Sequence, residues 1–356
     1  MKALKLAVFA LFVVACAKEG NNSSTASSTA SSSGSVDLTG AGATFPYPLY
    51  SKWFDEYAKL TGVRINYQSI GSGGGIRQLS EGTVDFGATD SPMSDAEMAK
   101  AKYGPILHIP TVLGAVVITY NIPGLSVPLE LTPAVIADIF SGKITKWNDA
   151  RIASLNASAS LPSSDILVVH RSDGSGTTYI FTDYLTTAAP SWKAIGKGKE
   201  VKWPVGLGAK GNEGVAGQVK QTPGAIGYVE LAYAKQNKLP IAAVKNKVGK
   251  FVIASVPAVT AAAAGVATTL PSNTDFRVSV VDAPGADSYP ISSFTWIIVY
   301  QHQSDPVKGK KLVDFLNWAL TAGEPEAPSL DYAPLPAEMA PKVKAKVVTI
   351  DFTGAK

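Results

Sequence analysis

ILVVHRSDGSGTTYIFTDYL, residues 166–185, runs from an apolar strand through a glycine-rich turn into a helix. Two upstream stretches have the same form. One is Gly40-Ala41-Gly42-Ala43-Thr44-Phe45-Pro46, and the other is Gly71-Ser72-Gly73-Gly74-Gly75. Around these three turns the chain alternates short strands with helices. Helical spacing is expected over 48–60, 76–81, 132–140, 177–186, 256–270 and 308–322, with Thr132 as a cap and Pro133 in the first turn. Extended segments are expected at 36–38, 63–69, 85–89, 112–120, 166–170 and 291–300. Strands of this length between helices predict an α/β fold whose sheets are mostly parallel, with ligands at the carboxyl ends of the strands.

The turns share a chemistry. Glycine allows close backbone approach and positive φ. A helix start offers unpaired N–H groups and a partial positive charge, and Ser or Thr hydroxyls add donors. One such turn is usually only a turn; three in one chain, one of them carrying Arg171, point to an anion site. Arg171 presents a planar fork of donors to an oxyanion. Read alone, it is equally a surface arginine paired with Asp173. Asp90, after the strand at 85–89, has a bland reading as the N-cap of a helix near Ser91-Pro92. A carboxylate inside an anion site makes sense only if the anion brings a proton to donate.

Composition narrows the alternatives. Hydrophobic residues make up 46% of the 356 residues and charged residues 17%, which excludes a disordered chain. The net charge of +4 falls to +2 without Lys2 and Lys5, too weak a balance to argue for nucleic acid. The single cysteine, Cys16, excludes an internal disulfide, and three scattered histidines give no metal motif. No cofactor is implied. Gly174-Ser175-Gly176 lacks the spacing of a nucleophile elbow, and no P-loop pattern occurs. His170 reads as structural. No catalytic residue is assigned.

At the N-terminus, residues 1–15 read as an export signal: Lys2 and Lys5 precede an apolar run from Leu6 to Ala15. Val13-Val14-Ala15-Cys16 resembles the bacterial lipobox, with cleavage before a cysteine that becomes lipidated. Ala15-Cys16-Ala17 also satisfies ordinary cleavage after Ala17. The lone cysteine at that spot favours the lipobox, which would anchor the chain to a membrane. Residues 16–35, rich in Ser, Thr, Ala and Asn, read as a flexible tether.

Seven runs occur in order: GAGATFPYPLYSKWFDEY, INYQSIGSGGGIRQL, VDFGATDSPMSD, GKITKWND, HRSDGSGTTYIFTDYL, VKWPVGLGAKGNEGV and PGAIGYVE. Together they closely resemble the phosphate-binding proteins of the bacterial high-affinity phosphate ABC importer, from about Leu38 to Leu335. The resemblance implies a type II periplasmic-binding-protein fold, with two α/β lobes joined by a hinge and a ligand cleft between them. One lobe would hold residues 36–113 plus 290–356, the other 114–289. It implies inorganic phosphate as ligand, ABC permease subunits as partners, and a monomer outside the cytoplasm. By motif, the phosphate donors would be Thr44, Phe45, Ser72, Arg171, Ser175, Gly176 and Thr177. Asp90 would accept the phosphate proton, and Asp173 would orient Arg171. Gly73 stands where some relatives carry a second serine. A binder of sulfate or molybdate is the nearest alternative, and a phosphate-handling enzyme the next.

The cleavage reading has a direct check. Mass spectrometry of the native N-terminus should find an acylated Cys16. A mature chain starting unmodified at Lys18 would refute the lipobox assignment.

Overall fold

The computed structural model describes residues 37–271 and 273–352. The export signal, Cys16 and the tether lie outside the described residues. The strands in chain order are β1 (Leu38–Gly42), β2 (Ile65–Ser69), β3 (Phe86–Thr89), β4 (Ile106–Tyr120), β5 (Glu130–Leu131), β6 (Leu167–Arg171), β7 (Leu207–Ala209), β8 (Ala225–Glu230), β9 (Ala243–Lys245), β10 (Phe251–Val252) and β11 (Ser292–Tyr300). The first seven helices are α1 (Tyr47–Thr61), α2 (Ser72–Glu81), α3 (Asp95–Met98), α4 (Pro133–Phe140), α5 (Ala150–Ala153), α6 (Gly176–Ala188) and α7 (Gly211–Gln221). Thr132 caps α4 as its sequence suggests, accepting the Val135 N–H.

Eight strands form one sheet in the order β2-β1-β3-β11-β4-β8-β6-β7, and β10-β9-β5 form a small second sheet. The flanks are parallel: β1 with β2 and β3, β6 with β7 and β8. The centre is not. β11 runs antiparallel to β3 and β4, and β4 antiparallel to β8. A mostly parallel sheet was expected from strand–helix alternation, and the long central strand defeats that rule. The first part of β4, Ile106–Ala115, pairs with β11; the remainder, Val116–Tyr120, pairs with β8. One strand therefore joins the two parallel flanks. Nearly every residue of β4 and β11 is buried, so both read as continuous apolar runs.

β4 begins six residues before the expected 112. Pro110 looks like a strand breaker, since it cannot donate to a ladder. Here it sits at a register shift, with Pro110 opposite Trp296 and Val112 opposite Thr295. Thr111 is the extra residue of the bulge, and its Oγ1 meets the Tyr50 hydroxyl at 2.7 Å. Bulges often re-aim side chains beside functional sites.

Two glycine-rich stretches also differ from expectation. β1 runs over Leu38–Gly42, past the extended segment expected at 36–38, and α2 starts at Ser72 rather than at Ile76. The reason is close packing, with α2 lying directly on β1 and β3. A Cβ on Gly75 would stand 2.5 Å from Gly42 Cα, 2.6 Å from Ala41 O and 2.9 Å from Ala88 O. All three are backbone atoms that cannot swing aside. Glycine there lets the first turn of α2 touch the sheet and sets Ser72 over the strand ends. Gly217, inside α7, has nothing within 4 Å of its would-be Cβ. Gly75→Ala should therefore cost several kcal/mol, as overpacking against immobile backbone does. Gly217→Ala should be neutral or stabilise by about 0.5–1 kcal/mol. Chemical denaturation of both variants checks the contrast.

Candidate anion-binding site

Four parallel strands of the two flanks end at one place. Thr44 and Phe45 follow β1, Ser72 follows β2, Asp90 follows β3, and the loop from Arg171 to Thr177 spans the end of β6 and the start of α6. All eight expected ligand residues come together. Thr44, Phe45, Ser72, Asp90, Arg171, Ser175 and Thr177 are 3% exposed or less, and Gly176 is buried.

Ser72 sits at the centre. Its Oγ accepts the N–H of Asp90 and the N–H of Gly176, each at 3.1 Å. With two donors on its two lone pairs, its one proton must go elsewhere, and Asp90 Oδ2 lies 3.4 Å away. Gly176 has to be glycine for this approach: a Cβ would stand 2.4 Å from Ser72 Oγ and 2.5 Å from Asp90 Oδ2. Gly73 N–H donates to Gly174 O at 2.8 Å, tying the second and third turns together. Ser175 caps α6, its Oγ accepting the Thr178 N–H at 3.0 Å.

Arg171 pairs with Asp173 in fork geometry, Nε to Oδ1 at 2.8 Å and Nη2 to Oδ2 at 2.5 Å. Arg171 is thus paired with Asp173, but it is buried rather than on the surface. Burial alone would raise Asp173, but the guanidinium outweighs it and holds the carboxyl below its usual range. Gly211 N–H also donates to Asp173 Oδ1. His170 stacks on Trp203 at a centroid distance of 4.8 Å, in keeping with a structural part.

Asp90 is not a helix cap. α3 begins only at Asp95, and its cap is Ser94, in a capping box with Glu97. The Asp90 carboxyl is fully buried and accepts the Thr295 hydroxyl on Oδ1 at 2.8 Å. Burial pushes its pKa up from 3.8 to about 7, against the opposing pull of Thr295, Arg171 and Ser72.

Two contributors escaped the sequence reading. Thr295 lies in β11, far along the chain, and only the strand register brings it to Asp90. Asn212 opens α7 just after β7 and donates to both Thr44 Oγ1 and Thr177 Oγ1. Its signal was another strand–glycine–helix turn, Ala209-Lys210-Gly211-Asn212. The carbonyls of Thr44 and Phe45 accept the hydroxyls of Tyr233 and Tyr332, each at 2.6 Å, which pins the first loop. Beside Asp90 opens a cleft of about 750 Å³, whose lining includes Lys197, Lys199, Arg277, Met93, Ser94 and Glu97. The Lys199–Glu97 ion pair bridges it at 2.6 Å. Among the described residues no three His, Cys, Asp or Glu gather as a metal site.

What this geometry can hold is a small anion, fixed by N–H groups, hydroxyls and one neutralised arginine. A model of the PBP superfamily domain matches residues 24–322, which places the chain among substrate-binding proteins of the periplasmic-binding-protein class. The phosphate-binding protein PstS of Pasteurella multocida is 46% identical over 311 residues, covering 87% of this chain and 89% of that one. That of Xylella fastidiosa strain Temecula1 is 44% identical over 313 residues, covering 87% and 85%. The solved structure of a phosphate-binding protein from Stenotrophomonas maltophilia matches with a TM-score of 0.71 at 24% identity, covering 88% and 94%. The fold is the type II periplasmic-binding-protein fold, and the chain belongs to the PstS family of phosphate-binding proteins.

The state of Asp90 can be read from stability. Its folded pKa of about 7 lies above its ordinary 3.8. Folding therefore favours the neutral form. The stability this confers is complete below about pH 4 and is lost as pH rises through about 7. In phosphate-free protein, the melting temperature of Asp90→Asn relative to wild type should rise between pH 4 and pH 8. The gain should be at most on the order of 4 kcal/mol, at about 1.4 kcal/mol per unit. A flat difference would mean that the carboxyl is not desolvated in solution.

Proposed function

We propose that the protein captures inorganic phosphate outside the cytoplasm and delivers it to the membrane subunits of an ABC importer, held to a membrane through lipidated Cys16. The observation that carries the ligand assignment is Asp90, a fully buried carboxyl set among donors. Hydroxyls and N–H groups alone would suit any small oxyanion. A carboxyl among them suits one that retains a proton near neutral pH, as phosphate does and sulfate does not.

In this reading the backbone N–H of Phe45, the hydroxyls of Thr44, Ser72, Ser175 and Thr177, and the Arg171 guanidinium donate to the phosphate oxygens, while the Gly176 N–H stays on Ser72 Oγ and holds that hydroxyl in place. Asp90 accepts the hydrogen bond of the phosphate O–H. Arg171 and Asp173 cancel in charge, so dipoles carry the binding and the anion is held without a large excess of positive charge. No bond is made or broken, and no catalytic step is assigned. We take the flanks on either side of β4, residues 36–113 plus 290–356 and residues 114–289, as lobes that close on the ligand in a monomer. Donors from both would then favour the closed form by differential affinity. The closed form is what the permease would recognise.

Calorimetry on phosphate-stripped protein tests the assignment. Wild type should bind phosphate and ignore millimolar sulfate, since a site built around a ligand hydroxyl can reject analogues lacking it by roughly 10⁴-fold or more. Asp90→Asn should lose phosphate affinity and narrow the phosphate-to-sulfate gap. Sulfate bound as tightly as phosphate by wild type would refute the reading.

A further inference from the structure

Asn212 reaches two of the site's hydroxyls at once. It is fully buried at the start of α7. Its Nδ2 donates to Thr44 Oγ1 at 2.7 Å and to Thr177 Oγ1 at 3.0 Å. The far end of the amide accepts the Glu230 N–H at 2.9 Å. A backbone N–H can meet only an acceptor, so that end is oxygen and the end facing the threonines is nitrogen. Both Nδ2 protons are committed to the two hydroxyls.

A threonine hydroxyl has one proton and two lone pairs. Thr44 Oγ1 also receives the backbone N–H of Asn212 at 3.2 Å. Thr177 Oγ1 also receives Arg171 Nη1 at 3.4 Å. Each oxygen thus has a donor on each lone pair. Among the described residues neither hydroxyl donates to a protein acceptor. Its one proton remains for a ligand.

We infer that Asn212 is a positioning residue for anion capture: it fills the lone pairs of Thr44 and Thr177, makes both hydroxyls obligate donors, and joins the loop after β1 to the start of α6. The inference rests on the phosphate reading above. A hydroxyl with an empty lone pair can turn that lone pair toward an incoming anion, where it repels. With both lone pairs filled, only the proton faces the ligand, and no rotor has to be frozen when the anion arrives. The same arrangement disfavours cations, which would need those lone pairs.

The test is a mutant cycle read by calorimetry with inorganic phosphate on the full chain. Asn212→Ala should weaken binding about 10- to 100-fold, the range expected when hydrogen bonds to a charged ligand are lost. The Thr44→Val/Thr177→Val variant should weaken it at least as much. Adding Asn212→Ala to that pair should then change affinity by less than about 3-fold, because the groups through which Asn212 acts are gone. A residue that only supports the fold would multiply its full loss onto the pair, and that result would overturn the inference. Thermal melts of the ligand-free variants separate stability from affinity. A second cycle uses Thr44→Ala alone, which introduces no new bulk. There the Asn212→Ala loss should shrink at least about 3-fold relative to the loss in wild type, and an unchanged loss refutes the assignment. A wild-type chain blind to phosphate overturns the phosphate reading together with this one. Wild-type binding with multiplied losses overturns this one alone.

Discussion

Two backbone N–H groups, from Asp90 and Gly176, converge on the single oxygen of Ser72, and the rest of the site is arranged around that convergence. Asp90 lies at the end of β3 and Gly176 at the start of α6, on opposite flanks of the sheet. Bringing both within 3.1 Å of one hydroxyl requires that α2 rest on β1 and β3, which is why its first turn is glycine. It also requires that residue 176 carry no Cβ. Close backbone packing, rather than any side chain's own preference, therefore positions the donors. The hydroxyls that result have their lone pairs filled by N–H groups, and a hydroxyl in that condition can only donate.

The charges follow a matching logic. A buried arginine is costly unless paired, and Asp173 meets it in a fork while Gly211 N–H supports the carboxylate. The pairing removes the net positive charge that would otherwise hold any anion firmly. In the proposed reading, Asp90 then adds a carboxyl where the anion would sit. For a fully deprotonated oxyanion the ionised carboxyl would be bare repulsion and an unpaired acceptor. For one that carries a proton it would be a hydrogen-bond partner, so the same group would both admit and reject. Thr295 completes the arrangement by donating to Asp90 Oδ1, leaving Oδ2 on the side of Ser72.

Much of this was legible in local sequence because the signals were local. Each glycine-rich turn lies between a strand and a helix, and its hydroxyls lie within the turn itself. Thr44, Ser72, Ser175 and Thr177 could therefore be found by reading a few residues. The Arg171–Asp173 pair is two residues apart and equally visible. Thr295 was invisible because its role depends on the register of β11 against β3 and β4, set by pairing across about two hundred residues. Asn212 was invisible for a related reason: its turn carries glycine but neither Ser nor Thr, and the partners that give it meaning sit after other strands. The parallel-sheet expectation failed at β4 because the alternation rule sees neighbouring elements and not a strand shared between two flanks. Pro110 hid the first six residues of that strand, since the bulge that accommodates it exists only opposite β11.

That shared strand bears on how capture and release would work. β4 pairs with β11 as far as Ala115 and with β8 from Val116 onward. Any relative motion of the flanks would have to be absorbed there and in β11, both buried along nearly their whole length. Buried, doubly paired strands bend little without breaking ladder hydrogen bonds, so the permitted motion is a small rotation and not a wide separation. The donors span the same boundary: Ser72 against Gly176, Gly73 against Gly174, Thr44 against Asn212. A rotation of a few ångströms at these loops would break all three contacts together. Thr44 would then lose both donors to its hydroxyl and Ser72 one of two, just as the cleft opened, while Thr177 would keep Arg171 and Asn212. Release in this design would need no change in ligand charge, because opening alone would turn Thr44 from an obligate donor into an ordinary, freely rotating hydroxyl and separate it from the donors left on the other flank.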